Sequence, residues 1–385
     1  MLLINFIYLL LHHVRIISNN TMAFSFSKLF SSVQDKAAVG SQKTSGIDFG
    51  SSSIKVVEIE STEKALVLRT YGELQLGPYG NAELGSAVKL DQKKRIEATV
   101  DVLRESGVTA KKGVLSIPLS VSFMTVIPLT LRENEDLENR ITVEARKYIP
   151  LPLSEVALDW SELSGPKKKK QLSTEVMIAA IEHATVKEYK DTLQAIGLAS
   201  QPSEIEAFSL VRALGQDDDT TLAVIDIGAS TSKLYIAREG MIERIHRISI
   251  GGLSISKRIA ELCNVTIEQA ENLKRSYTES GEHANDITKA TNSVLEGIMQ
   301  EFSHLITQYE TRNGEKIKRV VLSGGVSAFP GTLPYVREAL SRNVMVGNAF
   351  DKVAYPAFME DTLREIAPSF GVSMGAALRL FSEGS

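Results

Sequence analysis

The stretch GIDFGSSSIKVVEIE, residues 46–60, places an aspartate, a glycine and three serines between two apolar runs of strand-like composition. The same plan returns in AVIDIGASTSKLYIA, residues 223–237, and the aspartates of the two stretches, Asp48 and Asp226, lie 178 residues apart. Folding needs a turn at each place, but it does not need the same Asp-x-Gly-x-Ser twice. The repetition therefore predicts two copies of one supersecondary unit.

Similar elements follow each stretch. In the first half the pattern predicts strands at 44–49, 54–60 and 65–74, a helix at 90–106 and a strand at 113–117. In the second half it predicts strands at 222–227, 233–237 and 241–248, then helices including 287–311, a strand at 318–322 and a helix at 368–381. Short connections between the first three strands of each half indicate antiparallel meanders. The sequence favours a duplicated α/β protein.

Extra material separates the two copies. The pattern predicts a strand at 121–129, a helix at 132–148, strands at 156–163 and 175–181, and a helix at 185–196. An insert of this size is expected to fold as a small α+β subdomain. It is a candidate surface for a partner.

Composition excludes several classes of protein. The 385 residues are 43% hydrophobic and 23% charged, so the chain is expected to bury a proper core. A net charge of -4 shows that the chain lacks the excess of basic residues typical of nucleic-acid-binding proteins. Cys263 is the only cysteine, which fits a reducing cytosol, and the six histidines show no zinc-ligand spacing. The basic run 167–170 is expected to be a solvated loop.

Residues 1–43 are interpreted as a leader. Its apolar run at 2–11 is half the length that a membrane-spanning helix needs, and it lacks the charged region and cleavage site of a signal peptide. We expect Met22 to be the biological start, with the preceding segment an upstream extension. Aromatic residues after Met22 could touch a membrane surface, although a flexible leader is the simpler interpretation.

The glycine and serine loops suit phosphate, because consecutive backbone amides in such a loop bind phosphate oxygens. A carboxylate beside a phosphate makes sense when a divalent cation lies between them. Asp48 and Asp226 are therefore candidate magnesium residues, reached through water. The candidate phosphate contacts are Gly50, Ser51, Ser52, Ser53 and Lys55 in the first loop, and Gly228, Ala229, Ser230 and Thr231 in the second.

A third motif is LSGGVSAFPG, residues 322–331, in which a strand leads into a Gly-Gly turn and a helix start. Glycines at 324 and 325 would let a flat ring or a ribose lie against the backbone. The motif is neither the GxxxxGK[ST] of a P-loop nor the GxGxxG of a Rossmann fold.

Taken in order, GIDFGSSSIK, VIDIGASTSK and VVLSGGVSAFPG resemble the phosphate-1, phosphate-2 and adenosine motifs of the actin, heat-shock and sugar-kinase ATPase superfamily. Within it the chain is similar to the FtsA-type branch and above all to the PilM family of type IV pilus assembly proteins. The narrower resemblance rests on EARKYIPLPLSEVALDW (144–160), PSEIEAFSLVRAL (202–214), ISIGGLSISKRIA (248–260) and IEQAENLKR (267–275). It covers roughly residues 45–380.

The resemblance implies a duplicated actin-like (ribonuclease H-like) ATPase fold, with two lobes around a nucleotide cleft and an α+β FtsA-type subdomain inserted in the first lobe. The expected boundaries are 44–119 for the first lobe, 120–200 for the inserted subdomain, and 201–385 for a connecting helix and the second lobe.

The resemblance also implies ATP and Mg²⁺ as ligands. Gly324, Gly325 and Val326 would lie beside the adenosine, and Glu271 and Lys274, one helical turn apart, would reach the ribose or base. Taken on their own, Glu271 and Lys274 would be an ordinary surface ion pair. Glu206 would orient the attacking water, with Glu204 as its competitor for that role.

For partners, the resemblance implies the cytoplasmic N-terminal peptide of PilN, the PilN/PilO inner-membrane complex and possible self-association, but no nucleic acid. The chain would be cytoplasmic and peripheral at the inner face of the cytoplasmic membrane, with at most slow ATPase activity. Two alternatives belong to the same superfamily. A small-molecule kinase would need a carboxylate base, for which no candidate stands out. An FtsA-like division protein would carry a basic amphipathic helix, which LRLFSEGS at 378–385 does not provide.

Overall fold

The structure is a computed structural model that describes residues 42–130, 135–163, 173–200, 203–216 and 221–382. Most of the leader, including Met22, and the basic run 167–170 lie outside the described residues. Within the described part of the chain, no helix is both long enough and apolar enough to cross a membrane.

The first lobe is built on one mixed sheet with the strand order β3-β2-β1-β4-β8, and β9 also pairs with β4. Strands β1 to β3 form the predicted antiparallel meander, while β4 runs parallel to β1. β1 is buried along six consecutive residues because both faces of the sheet are covered. The strands are β1 Gln42–Phe49, β2 Ser53–Ser61, β3 Leu66–Gln75, β4 Lys112–Ile117, β8 Ala199–Ser200 and β9 Glu204–Ile205, with helix α1 Gln92–Glu105 between β3 and β4.

The second lobe repeats this topology in the order β12-β11-β10-β13-β14, with the same antiparallel meander followed by parallel strands. The duplicated actin-like fold is therefore confirmed. The strands are β10 Thr221–Ile227, β11 Ser232–Arg238, β12 Met241–Ile248, β13 Arg319–Ser323 and β14 Val344–Val346. The helices are α5 Gly252–Cys263, α6 Ile267–Arg275, α7 Ala284–Asn313, α8 Thr332–Leu340 and α9 Glu360–Ile366.

The long helix α7 packs its apolar stripe into the second lobe. Ile298, Phe302 and Tyr309 are buried in one hydrophobic cluster with the outer face of the sheet, and Val294 and Leu305 pack against it. The stripe is thus part of the core, as its helical spacing predicts.

The inserted subdomain has its own three-stranded antiparallel sheet in the order β5-β7-β6 and its own small core. Its elements are β5 Ser122–Thr130, α2 Leu137–Ala145, β6 Val156–Leu163 and β7 Ser173–Glu182. Helix α3 His183–Ala195 follows β7, but its buried Val186, Tyr189 and Leu193 belong to the hydrophobic cluster of the first lobe's sheet. Helix α2 is shorter than the predicted 132–148. It begins after Asp136, whose side chain accepts a hydrogen bond from the Asn139 amide, and it ends four residues before Ile149.

Two helices pass between the lobes, α4 Glu206–Leu214 and α10 Gly371–Ser382. Nine consecutive residues of α10, from Gly371 to Arg379, are buried. The helix packs so closely that a Cβ on Gly46 of β1 would lie 1.9 Å from the Ser373 carbonyl oxygen. A Cβ on Gly375 would lie 1.7 Å from the Ser209 carbonyl oxygen of α4. Glycine is required at both positions because backbone approaches backbone there.

Candidate functional site

A cleft of about 830 Å³ opens between the lobes. It brings together both serine-rich loops, the Gly-Gly turn and part of α6. Every residue that the sequence nominated for the site lines this cleft, whereas Glu204 does not. The lining residues so predicted are Asp48, Gly50, Ser51, Ser52, Ser53, Lys55, Glu206, Asp226, Gly228, Ala229, Ser230, Thr231, Glu271, Lys274, Gly324, Gly325 and Val326.

The two serine-rich loops fold as the same turn. In the first, the Gly50 amide donates to the Ser53 carbonyl oxygen at 3.0 Å, and in the second the Gly228 amide donates to the Thr231 carbonyl oxygen at 3.0 Å. The loops also meet across the cleft, because the Ser230 hydroxyl donates to the Ser51 hydroxyl oxygen at 3.0 Å. Once this bond opens, the facing turns can hold one anionic group from both sides.

Each turn stands at the end of a row of charged residues that crosses its sheet. In the first lobe Asp48 pairs in register with Lys55, and Lys55 pairs with Glu73. In the second lobe Asp226 pairs with Lys233, and Lys233 pairs with Arg247. Cross-strand partners project from the same face of a sheet, so each row presents its side chains together.

The lysines of the two rows are both anchored by carboxylates. The Lys55 ammonium donates to the Ser53 hydroxyl at 2.7 Å and lies 3.2 Å from Glu73. The Lys233 ammonium lies 2.9 Å from Glu206 and 3.5 Å from Asp226. Burial opposes the charge on Lys233, but Glu206 and Asp226 outweigh it and hold the pKa of that ammonium above its usual range. It is therefore charged at neutral pH.

The aspartates of the rows are costly to ionise. Burial raises the pKa of Asp48 to about 6 even though Lys55 opposes the shift, and Glu206 adds to it. Burial likewise raises the pKa of Asp226 against the pull of Lys233. Within the part of the chain that the structure describes, the Asp48 carboxylate accepts one hydrogen bond, from the Ser116 hydroxyl at 3.3 Å. Two poorly compensated carboxylates facing one cleft are the kind of oxygen ligands that a hydrated Mg²⁺ prefers.

Glu206 and Glu204 have different environments. Glu206 begins α4, and its carboxylate accepts from the Leu119 amide at 2.8 Å and from Lys233. Glu204 lies outside the cleft and is held by Arg212 and Arg379, which lower its pKa although burial opposes them. Of the two carboxylates, only that of Glu206 can act on a molecule in the cleft.

The Gly-Gly turn differs from the prediction in one respect. The glycines lead into a short 3₁₀ helix, Gly325–Ala328, and the α-helix after them begins only at Thr332. Gly324 has a φ of 85°, and a Cβ there would lie 2.3 Å from the Ile227 carbonyl oxygen. Close packing of this turn against the second loop requires glycine at that position.

Glu271 and Lys274 form a partly buried network on α6. Glu271 is only 8% exposed and accepts from the Ser256 hydroxyl at 2.6 Å and from Arg275 at 2.9 Å. The Lys274 ammonium bonds the same carboxylate and the Ser256 hydroxyl. The pair is thus not an ordinary surface ion pair, and it joins α6 to the start of α5.

Several residues that line the cleft were not predicted from the sequence. Lys233 follows Asp226 by seven positions, as Lys55 follows Asp48, so the repeat itself carried a signal for it. Arg247 lacks such a signal, since its place depends on strand register. The rings of Tyr277 and Phe329 lie 4.7 Å apart and line the cleft beside the Gly-Gly turn.

A separate cluster lies away from the cleft. The side chains of Cys263, His283 and Asp286 bring their ligand atoms within 4.8 Å of one another, although their spacing in the sequence resembles no zinc motif. The Lys289 ammonium lies 3.8 Å from the Asp286 carboxylate. That cation competes for the carboxylate which a metal ion would need.

Comparison with known proteins identifies the family and agrees with the fold. A family profile described as type IV pilus assembly protein PilM matches residues 46–381. The cell division protein FtsA of Bacillus subtilis is 22% identical over 364 residues, which covers 78% of this chain and 78% of FtsA.

Solved structures give the same architecture. A PilM-PilN type IV pilus biogenesis complex contains a chain with a TM-score of 0.73 and 23% identity, covering 87% of this chain and 98% of that one. The ethanolamine utilization protein EutJ of Carboxydothermus hydrogenoformans has a TM-score of 0.53 and 15% identity, covering 89% and 90% of the two chains.

Proposed function

Because the chain belongs to the PilM family of type IV pilus assembly proteins, we propose that it binds ATP with Mg²⁺ between its lobes and uses nucleotide occupancy to control a partner surface. The observation that carries the proposal is the meeting of the two turns. Ser51 and Ser230 touch across a cleft whose floor holds two lysines and two aspartates. A magnesium-bound polyphosphate supplies the anions and the cation that such a floor requires.

In this proposal the turns hold the phosphates. Their serine and threonine hydroxyls donate to phosphate oxygens after the bond between Ser51 and Ser230 opens, and Lys55 neutralises part of the charge. The Gly-Gly turn, Val326 and the α6 network receive the adenosine. The aromatic pair of Tyr277 and Phe329 offers a flat apolar surface for the base.

Asp48 and Asp226 would hold Mg²⁺ through its water ligands. Their raised pKa values mean that each carboxylate lacks enough positive charge in the ligand-free cleft. A divalent cation supplies that charge, so the residues fit the ion. Bound Mg²⁺ would neutralise the phosphates and position them between the lobes.

Glu206 is the proposed residue for orienting water. Both of its carboxylate oxygens already accept hydrogen bonds, one from Leu119 and one from Lys233. These two contacts hold the carboxylate in place in the cleft, where its remaining lone pairs can accept a hydrogen bond from a water molecule. We propose slow hydrolysis or none, which suits a switch better than a metabolic enzyme.

The inserted subdomain, residues 120–200, is the proposed partner surface. It touches the second lobe through Glu175 of β7, whose carboxylate pairs with Arg312 of α7 and lies 3.5 Å from Arg244 of β12. A change in the angle between the lobes must therefore strain or move the subdomain. Nucleotide state would reach the partner by this route.

Lys55→Ala is expected to weaken binding of Mg-ATP by about 10- to 100-fold, since one charge-assisted hydrogen bond is worth about 1.5–3 kcal/mol. Isothermal titration calorimetry measures the change. Lys257→Ala, an exposed lysine of α5 that does not line the cleft, is the matched control. If the wild type and both variants bind Mg-ATP with equal affinity, Lys55 is not part of the phosphate site. If the wild type does not bind Mg-ATP, the proposed nucleotide site is wrong.

For the partner, we propose the cytoplasmic N-terminal peptide of PilN, as part of a PilN/PilO complex at the inner membrane. A synthetic PilN peptide is expected to bind the full chain, with an affinity that changes when Mg-ATP is added. A scrambled peptide of the same composition is the control. Failure to bind, together with phosphorylation of a small hydroxylated metabolite, would instead favour the kinase alternative.

A further inference from the structure

The two charged rows match at two positions and differ at the third. Asp48 and Lys55 in the first lobe correspond to Asp226 and Lys233 in the second. The third residue is an acid in the first row, Glu73, and a base in the second, Arg247. The duplicated sheets therefore present opposite charge at equivalent places.

The difference at the third position leaves the second row, but not the first, with a cation that no carboxylate in the described part of the chain pairs with. Glu73 lies 3.2 Å from Lys55, so the first row carries two carboxylates for one ammonium. In the second row Lys233 is bonded to Asp226 and Glu206. Among the described residues, Arg247 has no carboxylate within salt-bridge distance, and it is exposed where it lines the cleft. Of the three cations in the two rows, it is the one that no carboxylate of the described residues pairs with.

The position of Arg247 suits the far end of a phosphate chain. It stands directly across from Lys233, at a Cβ separation of about 5 Å for cross-strand partners. Arg247 also lies five residues before Gly252, whose amide donates to the Gly228 carbonyl oxygen at 2.9 Å. A guanidinium here can extend along the cleft floor toward a group held by the second turn.

We infer that Arg247 binds the terminal phosphate of the nucleotide and thereby makes the cleft prefer ATP to ADP. The inference rests on the proposed nucleotide site and assigns the difference between two ligands to one side chain. ATP brings an additional phosphate and its negative charge, and a planar guanidinium can bond two of that phosphate's oxygens at once. ADP has no group at that place, so its affinity depends on the other residues of the site.

The test compares Mg-ADP with Mg-AMPPNP, a poorly hydrolysed ATP analogue, by calorimetry on the full chain. The wild type is expected to bind the analogue at least tenfold more tightly than ADP. Arg247→Gln should lower affinity for the analogue about 10- to 30-fold and change affinity for ADP less than twofold. Arg247→Lys keeps the positive charge but cannot bond two phosphate oxygens as a planar guanidinium does. Its affinity for the analogue should lie between those of the wild type and Arg247→Gln.

Arg258→Gln is the matched control, because Arg258 is an exposed arginine of α5 that pairs with Glu261 outside the cleft. It should leave both affinities unchanged. The inference is overturned if Arg247→Gln lowers the affinities for ADP and for the analogue equally, or if it lowers neither of them. The proposed function stands in both cases. If the wild type binds neither nucleotide, both are overturned.

Discussion

Asp48→Asn is expected to make the ligand-free protein more stable and, at the same time, to abolish its magnesium-dependent binding of nucleotide. Burial raises the pKa of Asp48 from 3.8 to about 6, so the folded protein works against the ionised carboxylate at neutral pH. One pKa unit corresponds to about 1.4 kcal/mol, and the shift therefore predicts a gain of about 1–3 kcal/mol in unfolding free energy. Asparagine keeps an oxygen that can accept from Ser116.

The dependence on pH follows from the sign of the shift. A carboxyl group with a raised folded-state pKa contributes stability below its unfolded value, near 3.8, and loses that contribution as pH rises through about 6. The unfolding free energy of the wild type should thus decrease relative to that of Asp48→Asn as pH rises from 4 to 6. Above pH 7 the difference should stay constant.

Urea denaturation at pH 4.5, 6 and 7.5 measures this difference, with Asp361→Asn, an exposed residue of α9, as the control. Calorimetry with Mg-ATP measures the loss of binding. Should the variant be less stable than the wild type at pH 7.5, the carboxylate must have stabilising partners in the fold. Undiminished binding of Mg-ATP would remove Asp48 from the magnesium site.

Gly375→Ala is expected to destabilise the protein by about 3 kcal/mol or more. The new methyl group would lie 1.7 Å from the Ser209 carbonyl oxygen and 2.4 Å from the carbon of that carbonyl. Overpacking usually costs about 1–3 kcal/mol, and here the contacted atoms are backbone, which cannot turn away as a side chain can. Helices α4 and α10 must separate to admit it. Urea denaturation measures the loss.

Gly297→Ala is the control for this substitution. Gly297 lies within a helix, as Gly375 does, but apart from the neighbouring backbone of its own helix no atom lies within 4 Å of its Cβ position on the exposed side of α7. Alanine should therefore stabilise the protein by up to about 1 kcal/mol through helix propensity alone. Similar effects of the two substitutions would show that α10 is not closely packed against α4.

The repeat allowed much of the fold to be predicted, because strand composition and the Asp-x-Gly-x-Ser turns are local properties of the chain. The same local pattern identified Asp48, Asp226 and the two loops. The third member of each row, Glu73 or Arg247, could not be found this way. Its place depends on register between β2 and β3 or between β11 and β12, which only the folded sheet fixes.

Other parts of the site depend on long-range packing. Glu204 and Glu206 stand two residues apart, and the sequence offers no means to tell which one faces the cleft. The junction between β9 and α4 determines which glutamate faces the cleft. Helix α4 begins at Glu206, and the carboxylate of this residue accepts hydrogen bonds from Leu119 and Lys233. The start of helix α2, outside the site, has a local cause instead, because Asp136 caps the helix and it begins at Leu137.

Helix α10 has a consequence for synthesis of the protein. It fills the space beneath β1, although Ser373 follows Gly46 by 327 residues. While residues 371–382 are still inside the ribosome, the nascent first lobe exposes the apolar face that α10 will later cover. The first lobe therefore cannot complete its core until α10 has emerged, and its uncovered apolar face needs protection from aggregation until then.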